Sequence, residues 1–285
     1  MGDINLGGGS NSAKASIGLF QRWRWRGAKY WRPLVNRLKG EDLTIHLYTH
    51  CWNEEKMLPF FFRHYDGIAD QYFVFDTGST DRSIEILQSH SLVQLTRIEP
   101  QGSSFVEENT SRQNEGWKQS RGVADWIIIT AIDEHLYHPD LRGYLGRCRR
   151  EGVTLIKAEG YEMVSDEFPR GRQPLYKRIK FGMRSAQWFD KIQAFDPNKI
   201  EEINYEPGRH EAHPTGEVSM PALTDVKLLH YKFLGLNYVV PRYLQLRTGL
   251  RPKDIEMSWG SQYLWDSEKI VAQYEEIRRN AVPVI

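Results

Sequence analysis

The segment Leu43–Leu87 constrains the fold most, because strand-like and helix-like patterns alternate within it. Leu43–Thr49 is apolar and rich in branched side chains, so it predicts a strand, and this strand leads into the polar tip Asn53-Glu54-Glu55. After a helix-like stretch, Gln71–Phe75 predicts a second strand, which leads into Asp76-Thr77-Gly78-Ser79-Thr80-Asp81. Ligands of open α/β sheets bind at the carboxyl ends of the strands. We therefore expect the two polar tips to face one crevice.

The same alternation continues along the chain and predicts the fold class. Further strands are predicted at Val93–Ile98, Asp125–Ile132 and Val153–Ala158, and helices at Glu54–Tyr65, Arg82–Ser89, Asn109–Arg121 and Leu141–Arg150. From Glu159 prolines and glycines become frequent, and Tyr238–Asn280 returns to helical periodicity with a break at Gly249–Pro252. The prediction is an α/β fold with a mostly parallel (mixed) sheet flanked by helices, an irregular second half and a helical C-terminus. The predicted divisions are 1–40, 41–240 and 241–285.

The composition indicates the size of the core and the compartment in which the protein is expected. The chain has 285 residues, of which 40% are hydrophobic, and this content suits a core for one large α/β domain. Cys51 and Cys148 lack metal-ligand spacing and favour a reducing compartment. No apolar run approaches the roughly 20 residues of a membrane span. The chain is therefore predicted to be a soluble, cytoplasmic protein.

The first 40 residues differ in charge from the remainder. They hold eight basic residues and one acid, a net charge of +7, which leaves −6 for the rest of a chain whose total is +1. Aromatic side chains alternate with the basic ones, among them Trp23, Trp25 and Trp31. The pattern fits a solvated helix packed on the domain, peripheral contact of residues 14–39 with the inner face of an anionic membrane, or nucleic-acid binding. Nucleic acid is not the expected partner of the chain as a whole.

Two adjacent acids follow the strongly apolar strand Asp125–Ile132. Asp133 and Glu134 stand at its end, where carboxylates are costly to bury unless they serve a partner. Hard oxygen ligands suit Mg²⁺ or Mn²⁺, and such an ion bridges diphosphates. Asp133 and Glu134 are therefore predicted metal ligands, which would stabilise the charge on a departing nucleoside diphosphate.

The strand tips resemble the nucleotide-sugar half of the GT-A glycosyltransferases of the family 2 type. In those enzymes Asn-Glu-Glu and Asp-x-Gly-Ser-Thr-Asp end the first two strands, so the resemblance implies that Asn53, Glu54 and Asp76 bind the nucleotide sugar. Relatives usually have Asp-x-Asp-Glu-Phe at the metal strand, whereas this chain has Ala131 in place of the first Asp and His135 in place of the Phe. The loss of the first Asp leaves three alternatives open: weakened metal affinity, a mechanism that depends less on metal, or an inactive homologue.

Further blocks extend the resemblance to roughly residue 242 and include family 92 type enzymes. Ser111-Arg112-Gln113-Asn114 resembles the Arg-x-Asn segment, so Arg112 and Asn114 are expected to contact phosphate or nucleotide. Later blocks resemble Lys-x-x-x-x-x-Pro, Gly-x-His and Leu-His-Tyr. They contribute Lys191 as a phosphate partner, and His210 and His230 as metal ligands.

An inverting transfer needs a carboxylate that accepts the proton of the acceptor hydroxyl. The irregular region offers five acids, Glu162, Asp166, Glu167, Asp190 and Glu211. Asp190 and Glu211 lie within the resembling blocks and are the predicted catalytic residues, with Glu211 preferred.

The resulting hypothesis is a metal-assisted, inverting hexosyltransferase. It would move a sugar from a nucleoside diphosphate, such as a UDP-hexose, to a hydroxyl of a polysaccharide or glycolipid. A nucleotidyltransferase is disfavoured because acids, rather than a glycine-rich basic loop, follow the first strand. A non-catalytic nucleotide-sugar or carbohydrate-binding homologue is the second hypothesis, and Ala131 is its main support.

Overall fold

A computed structural model of the chain describes residues 43–99, 101–186 and 189–285. Leu43–Ile285 forms one compact unit. The basic segment 1–40 and its predicted membrane contact lie outside the described residues. Within the described part, no helix is long and apolar enough to cross a bilayer.

The elements alternate through the first half of this unit. The strands are β1 (Ile45–Cys51), β2 (Gln71–Asp76), β3 (Val93–Arg97), β4 (Trp126–Ile129), β5 (Glu134–Tyr137), β6 (Leu155–Ser165), β7 (Phe181–Arg184), β8 (Lys191–Phe195), β9 (Ile200–Glu202), β10 (Thr215–Gly216), β11 (Lys227–Leu234) and β12 (Val282–Pro283). The helices are α1 (Leu58–Tyr65), α2 (Ser83–Ser89), α3 (Phe105–Glu115), α4 (Leu141–Arg150), α5 (Leu236–Arg247), α6 (Pro252–Glu256) and α7 (Ser267–Arg279).

Among the described residues ten strands form one sheet. Its main path runs β12-β7-β6-β8-β4-β1-β2-β3, with β11 paired to β6 and β5 paired to β11. Strands β3, β2, β1 and β4 are mutually parallel, and β6 and β11 also run in their direction because β4 and β6 are both antiparallel to β8. The predicted fold class is confirmed: a mostly parallel, mixed sheet flanked by helices, with an irregular second half and a helical C-terminus.

The core sits on both faces of the parallel strands. The four residues of β4 are completely or almost completely buried, as expected for a parallel strand that helices cover on both sides. α1 places Leu58, Phe61 and Tyr65 against the sheet, and none of these side chains is exposed. Pro59 lies at the start of α1, where the missing N–H group costs no helical hydrogen bond.

Two strand ends differ most from the sequence prediction, those of β4 and β6, and both changes shape the site. β4 ends at Ile129 rather than at residue 132, because the Thr130 hydroxyl donates to the Glu134 carbonyl oxygen at 2.7 Å and closes a turn. β6 continues seven residues beyond the predicted end at Ala158, because its second half pairs with β7 and β11. These partners come from later in the chain, so local periodicity did not predict them.

The C-terminal helices pack on the ends of β6 and β11 within the same compact unit. Gly235, at φ +80°, turns the chain from β11 into α5, and a Cβ atom here would lie 2.7 Å from the Asp166 carbonyl oxygen. Asp254 of α6 accepts hydrogen bonds from Phe105 N (3.0 Å), Val106 N (3.2 Å) and Ser104 Oγ (2.5 Å), at the start of α3. The predicted boundary after residue 240 therefore falls inside α5.

Two buried histidines predict acid sensitivity of the fold. The rings of His64 and His135 stack with centroids 4.6 Å apart. Burial lowers the pKa of His64 to about 4 despite its hydrogen bond to the Leu136 carbonyl. Burial and the His64 charge lower the pKa of His135 well below its ordinary value. Both side chains are thus neutral in the fold, while an unfolded chain takes up protons as the pH falls below about 6.5.

Stability should therefore be complete above pH 6.5 and be lost as the pH falls towards 4. Each unit of pKa shift is worth about 1.4 kcal/mol, and pH 5 lies about 1.5 units below the ordinary histidine pKa, so His135→Phe should recover roughly 1–2 kcal/mol at pH 5 and little at pH 7.5. Urea unfolding at both pH values measures this. His213→Phe, at an exposed position, is the control. Equal acid sensitivity of His135→Phe and the unsubstituted protein would contradict the account.

Candidate functional site

Hydrogen bonds join the polar tips after β1 and β2 directly. Asn53 adopts a left-handed conformation (φ 53°), and its side-chain oxygen accepts from Thr80 N at 2.7 Å. Its own N–H donates to Ser79 Oγ at 2.9 Å. Asp76 is completely buried and accepts from the backbone N–H groups of Gly78 and Ser79 at 3.1 and 3.2 Å. Asn53 and Asp76 therefore hold the two strand ends together along one rim of the sheet, and a ligand at Asp76 would first have to displace these bonds.

Glu54 points from this rim towards α5. Its carboxylate forms an ion pair with Arg242, whose Nη1 also donates to the Asn53 carbonyl oxygen at 2.8 Å. Burial raises the pKa of Glu54 to about 8; the Arg242 charge opposes this shift, and the Asp133 charge adds to it. β1 and β4 are neighbouring parallel strands, so Glu54 and Asp133 follow adjacent strand ends at the same edge of the sheet. The tips of β1 and β4 thus converge.

Asp133 stands at the apex of the turn between β4 and β5. The Tyr231 N–H donates to its carbonyl oxygen at 2.8 Å and fixes the turn against β11. The Asp133 side chain remains 29% exposed, and its Oδ2 lies 3.3 Å from His230 Nε2. Burial raises the pKa of Asp133, but the His230 charge and hydrogen bond outweigh this effect and lower it. Asp133 is therefore an ionised carboxylate at the carboxyl edge of the sheet.

His230 links Asp133 to a second acid, Glu162. In the strand register His230 lies opposite Glu162 of β6, and its Nδ1 is 2.8 Å from Glu162 Oε2. Burial lowers the pKa of His230, but the Glu162 and Asp133 charges outweigh burial and raise it to about 10. The three side chains form a carboxylate–histidine chain, Asp133–His230–Glu162, with an imidazolium at its centre. The Glu162 side chain is 16% exposed.

Glu134 lies beside Asp133 in sequence but has a different environment. Its Oε1 lies 2.6 Å from Lys191 Nζ and its Oε2 lies 2.5 Å from Arg209 Nη2, and all three side chains are at least 95% buried. Arg209 also donates to the Ile129 carbonyl oxygen at 2.7 Å. The two cations hold the pKa of Glu134 well below its ordinary value despite burial. Glu134 and Lys191 therefore tie β5 to β8, and in the fold their charges pair with each other and with Arg209.

Arg112 and Asn114 lie on α3 but have different surroundings. Arg112 Nη1 has no hydrogen-bond partner among the described residues and is 3.7 Å from Glu108. Its charge reaches the end of β1, because burial together with the Arg112 and Arg209 charges lowers the pKa of His50 to about 3. The Asn114 side chain instead forms two hydrogen bonds with the backbone of Tyr205. Its Oδ1 accepts from Tyr205 N at 2.7 Å, and its Nδ2 donates to the Tyr205 carbonyl oxygen at 3.1 Å. Of the two, Arg112 is the one placed to meet an anion.

The two predicted catalytic acids are not members of the carboxylate–histidine chain. Both carboxylate oxygens of Asp190 have partners: Oδ1 accepts from Gly160 N at 2.9 Å and Oδ2 from Arg184 at 2.8 Å. Glu211 is exposed, in the loop after the short turn Pro207–Arg209. The acid that the structure places beside Asp133 is instead Glu162, because β11 brings His230 between them.

The described side chains do not assemble a metal site on their own. No group of three or more His, Cys, Asp or Glu residues in 43–99, 101–186 and 189–285 is arranged to hold a metal ion. Both nitrogens of His230 face carboxylates, and His210 lies next to the ring of Phe189, with centroids 6.0 Å apart. Asp133 is the single accessible carboxylate at the predicted metal position. That arrangement suits Mg²⁺ or Mn²⁺ held jointly with substrate phosphates and water.

The sequence pattern indicated no role for Arg209 or Arg242, and the resembling blocks favoured Glu211 over Glu162. A signal existed for Glu162: it lies in a segment of alternating side chains after an apolar strand, as expected if β6 continues. Arg242 and Arg209 carried no comparable signal, since their partners lie 188 and 75 residues away.

Comparison with known proteins gives no family assignment. No protein-family model matches the chain, and no curated protein matches it. Solved structures resemble parts of it. S. aureus TarS is 14% identical over 45% of this chain and 23% of that one, with a TM-score of 0.31. A mycobacterial protein is 19% identical over 45% of each chain, with a TM-score of 0.30.

Glucosyl-3-phosphoglycerate synthase from Mycobacterium tuberculosis, in complex with phosphoglyceric acid, is 17% identical, with a TM-score of 0.37. The match covers 63% of this chain and 66% of that one. In each of the three cases the chain spans less than two thirds of the matched structure. These likenesses are too weak to carry a function, so the proposal below depends on the site itself.

Proposed function

We propose that the protein is a glycosyltransferase that moves a sugar from a nucleoside diphosphate sugar to a hydroxyl acceptor. The observation that supports this most is the convergence of three parts of the sheet edge: the Glu54–Arg242 pair after β1, Asp133 after β4 and Glu162 near the end of β6. Ligands of such sheets bind at this edge. The family 2 or family 92 type, the UDP-hexose donor and the inverting outcome belong to this proposal.

The donor would lie between the tips of β1 and β4. Asp133 would hold Mg²⁺ or Mn²⁺ together with the diphosphate. When bound, the ion supplies charge stabilisation to the departing nucleoside diphosphate. Arg112 would approach the phosphates from α3, because its Nη1 lacks a hydrogen-bond partner among the described residues.

Glu162 would act as the general base in place of Glu211 and Asp190. One of its carboxylate oxygens faces His230, which orients the group, while the side chain remains partly exposed. The acceptor hydroxyl would give its proton to Glu162 while the hydroxyl oxygen forms a bond to the anomeric carbon of the sugar. At the same time the bond between that carbon and the diphosphate oxygen would break. The imidazolium between Asp133 and Glu162 keeps the two carboxylates from repelling each other.

The test of the function is release of nucleoside diphosphate from a panel of UDP-hexoses with Mn²⁺ and candidate glycan acceptors. We expect Asp133→Asn to lower turnover about 100-fold or more, because charge stabilisation of the leaving group is a large term. Asp225→Asn, an exposed aspartate on another loop, is the matched control and should keep its activity. Equal turnover of Asp133→Asn and the unsubstituted protein would contradict the proposal.

A non-catalytic nucleotide-sugar-binding protein is the second candidate. Ala131 in place of an acid and the single accessible carboxylate at the metal position favour it. Titration calorimetry with UDP and Mn²⁺ separates the two functions. UDP binding without turnover for any donor and acceptor pair supports the binding protein.

A further inference from the structure

A group of basic side chains in the loop after β6 lacks acidic partners. The loop contributes Arg170, Arg172, Lys177 and Arg178, all exposed, and Arg63 of α1 faces the same loop. None of the five forms an ion pair with a described acid. We call these five residues the basic cluster.

The fold holds this loop in place although its charges repel one another. Burial lowers the pKa of Arg63 and the charge of Arg172 lowers it further, so the two guanidinium groups are close enough to interact. Arg63 Nη1 is buried without a hydrogen-bond partner among the described residues. Arg178 Nη1 lies 3.2 Å from the position of a Cβ atom on Gly171, so its guanidinium group folds back over the turn that carries Arg170 and Arg172. Like charges brought together in this way are stabilised by a bound anion.

Apolar contacts anchor both ends of the loop. The Phe168 ring contacts Phe60 of α1 and Tyr238 of α5, with centroids 5.9 and 4.6 Å apart. Leu175 and Ile179 are buried on the other side of the basic turn. The cluster is therefore displayed on a fixed part of the surface.

The loop borders the candidate site. β6 runs in the same direction as β1 and β4, so its end at Ser165 lies at the carboxyl edge that carries Asp133. Glu162 lies three residues before this end, and Tyr238 lies one helical turn before Arg242. In the proposed function, Asp133 and Arg112 bind the diphosphate of the donor. The basic cluster is therefore available to bind the acceptor.

We propose that the basic cluster binds phosphate groups of a phosphate-bearing acceptor while the acceptor hydroxyl meets Glu162. Four of the five residues are arginines, whose planar donors match phosphate oxygens in pairs. The assignment of the bound phosphate to a sugar acceptor depends on the proposed transferase function. Phosphate binding by the cluster can be tested independently of that function.

The test compares two triple variants that lose the same charge. Arg170→Gln/Arg172→Gln/Arg178→Gln alters the cluster. The control Arg147→Gln/Arg149→Gln/Arg150→Gln alters the end of α4, near the amino end of β6 and thus at the opposite sheet edge. The probe is fluorescently labelled inorganic polyphosphate, titrated at 50 and 200 mM salt. We expect the cluster variant to bind about 10-fold or more weakly and the control within about twofold, with a smaller difference at high salt.

Equal weakening of both variants, or of neither, with polyphosphate and with anionic vesicles alike would overturn the inference. UDP affinity, measured in the same preparations, should be unchanged in both variants. If the unsubstituted protein binds no UDP while the cluster variant alone loses polyphosphate, the transferase proposal fails and phosphate recognition stands. Vesicles of phosphatidylcholine with and without phosphatidylglycerol identify the source of the phosphate. If the cluster is needed for binding to the anionic vesicles alone, the phosphate belongs to a lipid headgroup. If the cluster is needed for binding to polyphosphate, the phosphate belongs to a soluble chain.

Discussion

Replacing Glu162 with Gln should lower the rate of sugar transfer by about 10²–10⁴-fold, because an amide cannot accept the proton of the acceptor hydroxyl. The donor would lie near Asp133 and Arg112, so UDP affinity should change by less than about threefold. The measurement is kcat with the best donor and acceptor pair, together with UDP binding by calorimetry. The size of the expected loss separates a base from a residue that only positions its neighbours.

Two matched variants sharpen this test. Glu159→Gln lies on the same strand, three residues away, and its carboxylate accepts from the Tyr161 hydroxyl at 3.1 Å. We expect it to keep nearly full activity. Glu211→Gln removes the acid that the sequence favoured. If Glu211→Gln lost more activity than Glu162→Gln, the exposed loop would move onto the acceptor during reaction and our assignment of the base would be wrong.

Glu134→Gln is expected to destabilise the fold by about 3–5 kcal/mol, because it leaves two buried cations without their counter-charge. Lys191 and Arg209 are 5% and 4% exposed and share this one carboxylate. Lys191→Met should cost less, since Arg209 still pairs with Glu134. Urea denaturation followed by circular dichroism gives the free energy of unfolding for each variant.

The surface pair Glu217–Lys199 provides the control. The Glu217 side chain is 71% exposed, so Glu217→Gln should change stability by less than about 1 kcal/mol. The result also decides the role of Glu134. A metal ligand would lose Mn²⁺ affinity on replacement with Gln and keep its stability, and that result would support the role that the sequence predicted.

Much of the sheet was predictable because its signals are local. Helix α4 has the predicted bounds, and β2 and α2 each agree with prediction to within one residue. Apolar strands that end in polar residues indicate a parallel sheet, even when the strand order is not known. The length of β6 was not predictable, since β7 and β11, which extend it, lie later in the chain.

The positions of the candidate residues at the sheet edge were predictable, whereas their surroundings were only partly so. Asn53, Asp76 and Asp133 lie at one sheet edge, as their place after strands indicated. The neighbours Asp133 and Glu134 look alike in sequence, yet one reaches solvent and the other binds two buried cations. Residue type cannot distinguish the two acids, because the cations that pair with Glu134 are distant in sequence. Arg209 lies 75 residues and Lys191 lies 57 residues from Glu134 along the chain.

The hydrogen bonds from the start of α3 to Asp254 have a practical consequence for anyone who shortens this protein. A version that stopped near residue 240 would keep every strand tip of the candidate site, yet it would lose Arg242 and leave the first two N–H groups of the helix that carries Arg112 without their Asp254 acceptor. Such a truncated protein would fail in an assay for reasons that say nothing about its chemistry. Residues 241–285 therefore support the candidate site, although they contribute none of its strand tips.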